Sequence, residues 1–288
     1  MNRSSRVFLP RTLNEAVAAK KDHPQARYVA GGTHLVGDEA RRGEPSAAYI
    51  SLRRVPELTS FSVDGERIRV GAAVTIAQLR TLSETESVPV ITQASRGLAS
   101  RQIRERATVG GNLCTLAPDR TLPPCFLALD AEIGLISQTG ERRVPLAEFY
   151  GAGPHSFLSQ GEIVTNVSWR KTSGFQGFSR IGRRNALCFA IVSVALVVDQ
   201  ERRAVRVGLG NVGRVPRATI AAEELISEAI DWASLSASAD AVESFALAVS
   251  AGCQPETDGV STATYRRHAI RVMARRLLEQ AIERGPVR

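Results

Sequence analysis

The sequence predicts an α+β protein in two parts, and three observations carry that expectation. The opening residues alternate short apolar strands with helix-patterned runs and place paired glycines at the end of the first such strand. The middle holds an Asp-Gly hairpin followed at once by a helix-capping signature. Beyond Lys171-Thr172-Ser173-Gly174 the order becomes strands first and helices after, which marks a separate α+β domain. The expected domains are residues 1–174, with subdomains at about 1–57 and 58–174, and residues 175–288.

The elements follow in order. Leu13 to Lys20 reads as a short helix, Arg27 to Ala30 as a strand running into Gly31-Gly32, and Ala48 to Ser51 as a second strand, together a small β-α-β unit. Phe61-Ser62-Val63 and Arg67-Ile68-Arg69-Val70 flank Asp64-Gly65, a pair suited to the positive φ of a tight hairpin. Thr75 and Gln78 stand at capping-box spacing and open a helix. A further helix is expected over about Val90 to Arg101, leading to a turn at Thr108-Val109-Gly110-Gly111-Asn112. Leu127 to Ile136, a second hairpin near Gly140 and a strand at Ile163 to Trp169 complete this part. Strands then follow at Gly177 to Ile181, Cys188 to Val198 and Val205 to Gly210. The last helix, from Thr264, sets Ala269, Val272, Met273, Leu277 and Ala281 along one buried face.

Composition removes several function classes. With 43% hydrophobic residues over 288, the chain can bury an ordinary core. The most apolar stretch, Leu187 to Val198, is interrupted by Ser193 and falls short of the roughly 20 apolar residues of a membrane span. Met1 to Arg11 lacks the apolar core of a secretory signal, so the expected location is the cytoplasm. Cys114, Cys125, Cys188 and Cys253 are scattered without a CxxC pair, which argues against zinc ribbons, disulfide frameworks and an iron–sulfur cluster on this chain. The net charge of +8 comes from dispersed arginine pairs without aromatic interleaving. A solvated surface or an anionic protein partner explains that pattern better than nucleic acid.

The chemistry concentrates in two segments, Val29-Ala30-Gly31-Gly32-Thr33-His34-Leu35 and Ala107-Thr108-Val109-Gly110-Gly111-Asn112-Leu113-Cys114-Thr115. Glycine pairs without Cβ atoms can turn successive N–H groups into one concavity that accepts phosphate oxygens. Thr33, Thr108 and Thr115 add hydroxyls, and Asn112 can donate and accept. Two such loops facing each other would suit a diphosphate, although a Gly-Gly pair alone is also an ordinary turn. Neither segment has GxGxxG or GxxxxGK[ST] spacing, which removes the commonest nucleotide folds.

Taken with Leu127-Ala128-Leu129-Asp130-Ala131, Gly182-Arg183-Arg184 and Tyr265-Arg266-Arg267-His268, these segments make the chain, over about residues 6 to 285, resemble the FAD-binding medium subunit of the xanthine dehydrogenase and carbon monoxide dehydrogenase family, the molybdenum hydroxylases. The resemblance implies a two-subdomain FAD-binding fold of the vanillyl-alcohol-oxidase (PCMH) type followed by a C-terminal α+β domain like that of CO dehydrogenase flavoproteins. It also implies non-covalent FAD here, with molybdopterin on a large subunit and two [2Fe–2S] clusters on a small subunit. The assembly it implies is a dimer of heterotrimers in which electrons reach FAD and leave to NAD+, oxygen, a quinone or another acceptor.

Carried over by residue, Tyr28, Val29, Ala30, Gly31, Gly32, Thr33, His34 and Leu35 would form the first diphosphate loop. Thr108, Val109, Gly110, Gly111 and Asn112, with Thr115, would form the second. Leu98 would lie against the flavin ring, and Val164 would bring main chain to the cofactor. Three positions depart from the family: His34 replaces the Asp of an AGGTDL-like loop, Thr121 stands where an Asp is usual, and Ser179 where a Lys is common. Asp119 lies near Thr121, and Arg180, adjacent to Ser179, is a candidate substitute for the Lys. A flavin-free scaffold and a stand-alone flavin oxidoreductase stay open as alternatives, and no residue is expected to act as a catalytic acid or base.

Overall fold

The computed structural model describes residues 5–115, 117, 119–151, 158, 161–184 and 189–286. The chain divides into two compact units, one of Met1–Leu79, Ser100–Thr115 and Glu132–Trp169, the other of Arg80–Ala99, Leu116–Ala131 and Arg170–Arg288.

In chain order the elements run β1 (Arg6–Phe8), α1 (Leu13–Asp22), β2 (Arg27–Val29), α2 (Leu35–Arg42), β3 (Ala48–Ser51), β4 (Phe61–Asp64), β5 (Arg67–Gly71) and α3 (Ile76–Thr85). Next come α4 (Pro89–Arg96), α5 (Arg101–Arg104), α6 (Val109–Cys114), α7 (Leu122–Ala128), β6 (Glu132–Ser137), β7 (Gly140–Pro145), α8 (Leu146–Gly151) and β8 (Ile163–Arg170). The remainder is β9 (Gly174–Gly182), β10 (Ala190–Asp199), β11 (Ala204–Gly210), β12 (Arg217–Ala218), α9 (Ile220–Ala229), α10 (Ala239–Ala251) and α11 (Ala263–Arg284).

The first unit holds a three-stranded sheet of order β1-β3-β2, parallel throughout, and a five-stranded sheet of order β4-β5-β8-β6-β7. The expected β-α-β unit is present, with β1 added on its far side. Ala16 and Val17 of α1 pack with Ile50, Leu52, Val55 and Leu58 in one core that also takes Ile163 of the larger sheet. The Asp64-Gly65 hairpin forms as its residues require, with Gly65 at φ +55. The Thr75–Gln78 capping box closes in both directions: Thr75 N–H donates to Gln78 Oε1 at 2.9 Å and Gln78 N–H to Thr75 Oγ1 at 3.2 Å.

The second unit is a layered α/β/α body around the antiparallel sheet β12-β11-β10-β9. β10 is apolar and buried over nearly its whole length, as a strand covered on both faces must be. On one face α9, α10 and α11 supply Ile226, Phe245, Ile270, Leu277 and Leu278. On the other, α7 lies so close that a Cβ at Gly208 would meet the Pro124 carbonyl oxygen at 1.8 Å, so only glycine fits. The expected strand from Cys188 begins outside the described residues.

One helix differs from expectation. The run Val90 to Arg101 is not continuous: α4 ends at Arg96 and α5 starts afresh at Arg101. Ala99 between them has φ +45, and the Ser100 hydroxyl accepts from Ile103 N–H at 3.3 Å as a new N-cap. The apolar spacing of Val90, Ile91, Ala94 and Leu98 reads as one helix in sequence and carries no mark of the interruption at Gly97 to Ser100. In α11, Ala269, Met273, Leu277 and Ala281 are buried as expected, whereas Val272 is half-buried at the border of that face.

Candidate functional site

The first glycine loop leaves β2 and enters α2. Tyr28, Val29, Ala30, Gly31, Gly32, Thr33, His34 and Leu35 are all half-buried. Tyr28 turns toward the core beside α1, where its hydroxyl donates to the Gly161 carbonyl at 3.1 Å and burial holds its pKa above the usual tyrosine range. Gly32 takes φ +71, a conformation that favours glycine. His34 is the N-cap of α2, in helical conformation and without a side-chain capping bond. Among the described residues nothing accepts from the N–H groups of Gly32 and Thr33, and Val36 N–H is the first to fold back, onto the Gly32 carbonyl at 3.2 Å. The loop therefore offers main-chain donors at the positive end of a helix.

The second loop is not the open turn that its glycines suggest. It is the start of α6, with the Thr108 hydroxyl as N-cap accepting from Gly111 N–H at 3.1 Å. Val109 N–H donates to the Val74 carbonyl at 3.0 Å, Gly110 N–H to that of Ala72 at 2.8 Å, and Asn112 N–H to that of Thr108 at 2.9 Å. The expected nest of free amides is thus engaged within the chain, because a short helix needs its first donors satisfied. The Thr115 hydroxyl is likewise engaged, donating to the Gly111 carbonyl at 2.6 Å. What the second loop presents outward is the exposed, side-chain-free surface of Gly111 beside half-buried Asn112.

These loops meet through a glycine contact. A Cβ at Gly31 would lie 2.1 Å from the Arg106 carbonyl oxygen and 3.0 Å from Ala107 Cα, at the entrance to the second loop. Val164 joins the same assembly: it pairs with Leu135 beside a bulge, and Thr165, the bulged residue, accepts from Ala72 N–H at 2.9 Å. Ala72 therefore links β8 to Gly110, a junction for which the sequence shows no motif.

Leu98, Thr121 and Ser179 lie in the second unit. Leu98 is buried after α4, and the adjacent Gly97 faces the Arg180 guanidinium, whose Nη2 would lie 2.9 Å from a Cβ there. Ser179 pairs with Val194 in uninterrupted antiparallel register, so Ser179 and Arg180 project to opposite faces of β9. Arg180 accordingly does not stand in for a side chain at Ser179. Thr121 precedes α7 without a capping bond, and its carbonyl accepts from Cys125 Sγ at 3.7 Å. The same unit carries an open cleft of about 880 Å³ whose lining includes Asp119, Arg183, Arg184, Phe189 and Arg266. Arg183, Arg184 and Arg266 come from two of the segments singled out in the sequence. Arg266, 3% exposed, donates to the Glu256 carbonyl and to Asp258 Oδ2, both at 2.7 Å, and that hydrogen bond holds the Asp258 carboxyl down at about 2. Arg120 pairs with Asp119 at 3.3 Å and lies 5.2 Å from the Phe189 ring centroid.

Residues 3–169 match the family model described as the FAD-binding domain in molybdopterin dehydrogenase. The chain belongs to this FAD-binding family. Residues 178–281 of this family member also match the CO dehydrogenase flavoprotein C-terminal domain. The chain is 29% identical to the 6-hydroxypseudooxynicotine dehydrogenase complex subunit alpha of Paenarthrobacter nicotinovorans, covering 90% of this chain and 88% of that one. It is 31% identical to aldehyde oxidase 4 of Cavia porcellus over 65% of its own length, which is only 15% of that longer protein. In fold it follows the reconstituted CO dehydrogenase of Oligotropha carboxidovorans, with a TM-score of 0.87, 24% identity and 98% coverage of both chains.

For this FAD-binding flavoprotein the Gly32 and Thr33 donors, without an acceptor among the described residues, fit a diphosphate, and the bare Gly111 surface fits close approach. Sequence reasoning found both loops through their glycines. It missed Ala72, Arg106 and Glu39, which hold the loops through main-chain or buried polar contacts that leave no pattern in the sequence. Among the described residues no three His, Cys, Asp or Glu side chains gather as a metal site, and no helix is long and apolar enough to cross a membrane.

Proposed function

We propose that this flavoprotein subunit of the molybdenum hydroxylase family relays electrons from [2Fe–2S] clusters of a small partner subunit, through FAD, to an external acceptor such as NAD+, oxygen or a quinone. In this reading molybdopterin sits on a large partner subunit, the assembly is a dimer of heterotrimers, and its location is the cytoplasm. FAD, when bound, supplies one- and two-electron exchange. The chain's residues supply position. Gly32 and Thr33 hold the diphosphate by main-chain N–H groups, the Thr33 hydroxyl adds a donor, and Asn112 with Gly111 closes the other side. No side chain is assigned a proton transfer. Leu98, Thr121, Val164 and Ser179 are assigned to the flavin by family resemblance, and the domains to 1–174 and 175–288.

The observation that carries the reading is the pair of amides, Gly32 and Thr33, unclaimed among the described residues, in a loop packed by Gly31 against the entrance to the second. The visible spectrum of the purified chain tests it. The visible absorbance of an oxidised flavin, with flavin released by acid precipitation, is expected. A colourless protein that takes up no added FAD returns the chain to the flavin-free scaffold reading.

A further inference from the structure

The helix that follows the first glycine loop is held in an unusual way. α2, Leu-Val-Gly-Asp-Glu-Ala-Arg-Arg, has one fully buried residue, and it is a carboxylate, Glu39, at 2% exposure. Of its two large apolar residues, Leu35 is half-buried and Val36 is 53% exposed. A helix of this length is marginal by itself and is normally fixed by an apolar face. Here polar contacts hold it instead. Glu39 Oε1 accepts from the Ser46 hydroxyl at 2.6 Å and from Arg27 Nη1 at 2.9 Å, and Oε2 accepts from the Tyr49 hydroxyl and from Ser46 N–H at 3.4 Å.

The partners' positions give this clamp its meaning. Arg27 and Tyr49 face each other directly across β2 and β3, so one carboxylate ties α2 to a rung of the sheet. Arg27 also stands immediately before Tyr28, where the glycine loop begins, while Glu39 lies one helical turn beyond its end at Leu35. The segment entering the loop and the helix leaving it are thus joined through a single buried group. Burial acts to raise the Glu39 carboxyl, but the bonds from Ser46 and Tyr49 and the Arg27 charge outweigh it and keep the group ionised.

We propose that Glu39 is a positioning residue for the cofactor's diphosphate, which aims the Gly32 and Thr33 amides by fixing α2 to β2 and β3. This rests on the reading of the first loop as the diphosphate site. Removing the buried carboxylate leaves the Ser46 and Tyr49 donors without their acceptor, and the disturbance falls on the helix that carries the binding amides.

The test is FAD titration of the flavin-stripped full-length chain, read by flavin fluorescence, together with the ³¹P spectrum of bound FAD, at a temperature where every variant is folded by circular dichroism. Glu39→Ala is expected to weaken FAD binding by about tenfold or more, the size typical of lost supporting contacts around a ligand site, and to shift the diphosphate resonances. Glu39→Gln, which keeps an acceptor for Tyr49, is expected to fall between. Glu132→Gln, which breaks the Arg67–Glu132 pair elsewhere in the same unit, is the stability control and should leave affinity and resonances unchanged. If Glu39→Ala lowers the melting temperature but binds FAD like wild type while Gly31→Ala loses it, the positioning role is overturned and the loop assignment stands. If Gly31→Ala also binds like wild type, the loop assignment itself fails.

Discussion

Gly31 and Gly111 show how differently two glycines in similar motifs can act. Gly31 permits the first loop to touch the Arg106 carbonyl, whereas Gly111 meets little beyond the Thr108 hydroxyl, 2.9 Å from where its Cβ would stand. The sequence made both loops visible, because paired glycines between apolar segments are rare punctuation, but it could not say which amides were already engaged. That depends on Ala72 and Val74, more than thirty residues away in the chain. A buried carboxylate gives a second residue-scale result. Glu223 on α9 accepts from Val207 N–H at 2.9 Å and lies 3.7 Å from Arg206, yet burial raises its pKa above the usual range. A carboxyl raised in the folded state favours folding while protonated, and that advantage is lost as pH rises from its unfolded pKa through its folded one. Glu223→Gln, which keeps the acceptor without the charge, should therefore gain thermal stability relative to wild type as pH rises above the ordinary carboxylate range. Melting temperatures across mildly acidic to neutral pH would show this, and a constant difference would contradict it.

At the scale of elements, local signals were legible wherever a turn or cap has its own chemistry. The Asp64-Gly65 hairpin, the Thr75–Gln78 box and the strand Ala48–Ser51 formed where their residues place them. The break between α4 and α5 was not legible because it turns on one backbone conformation, Ala99 at φ +45, which alanine does not advertise in sequence. That conformation is costly for alanine, by about 1–2 kcal/mol, and glycine recovers most of it at some cost in unfolded-chain entropy. Ala99→Gly should accordingly stabilise the chain by up to about 1 kcal/mol in urea denaturation. A loss of stability would mean that the alanine side chain contributes packing that outweighs its backbone strain. The anchor of α2 was equally hidden, since a Glu among Asp and Arg neighbours reads as a solvated surface.

For the whole molecule, the order of motifs along the chain pointed to the family, and matches over residues 3–169 and 178–281 bear out that recognition. The composition of the compact units was not legible, because Arg80–Ala99 and Leu116–Ala131 join the later residues through long-range packing on the sheet of β9 to β12. Charge behaves in the same way: the arginine pairs look uniform in sequence, yet Arg183, Arg184 and Arg266 converge on one cleft. The glycine cradle is tested by the FAD-binding isotherm of the flavin-stripped chain compared with that of Gly31→Ala. We predict one FAD per chain for wild type and a loss of at least about tenfold in affinity for the variant, whose Cβ cannot occupy the space beside Arg106 without parting the loops. Equal affinity in the two proteins would contradict it.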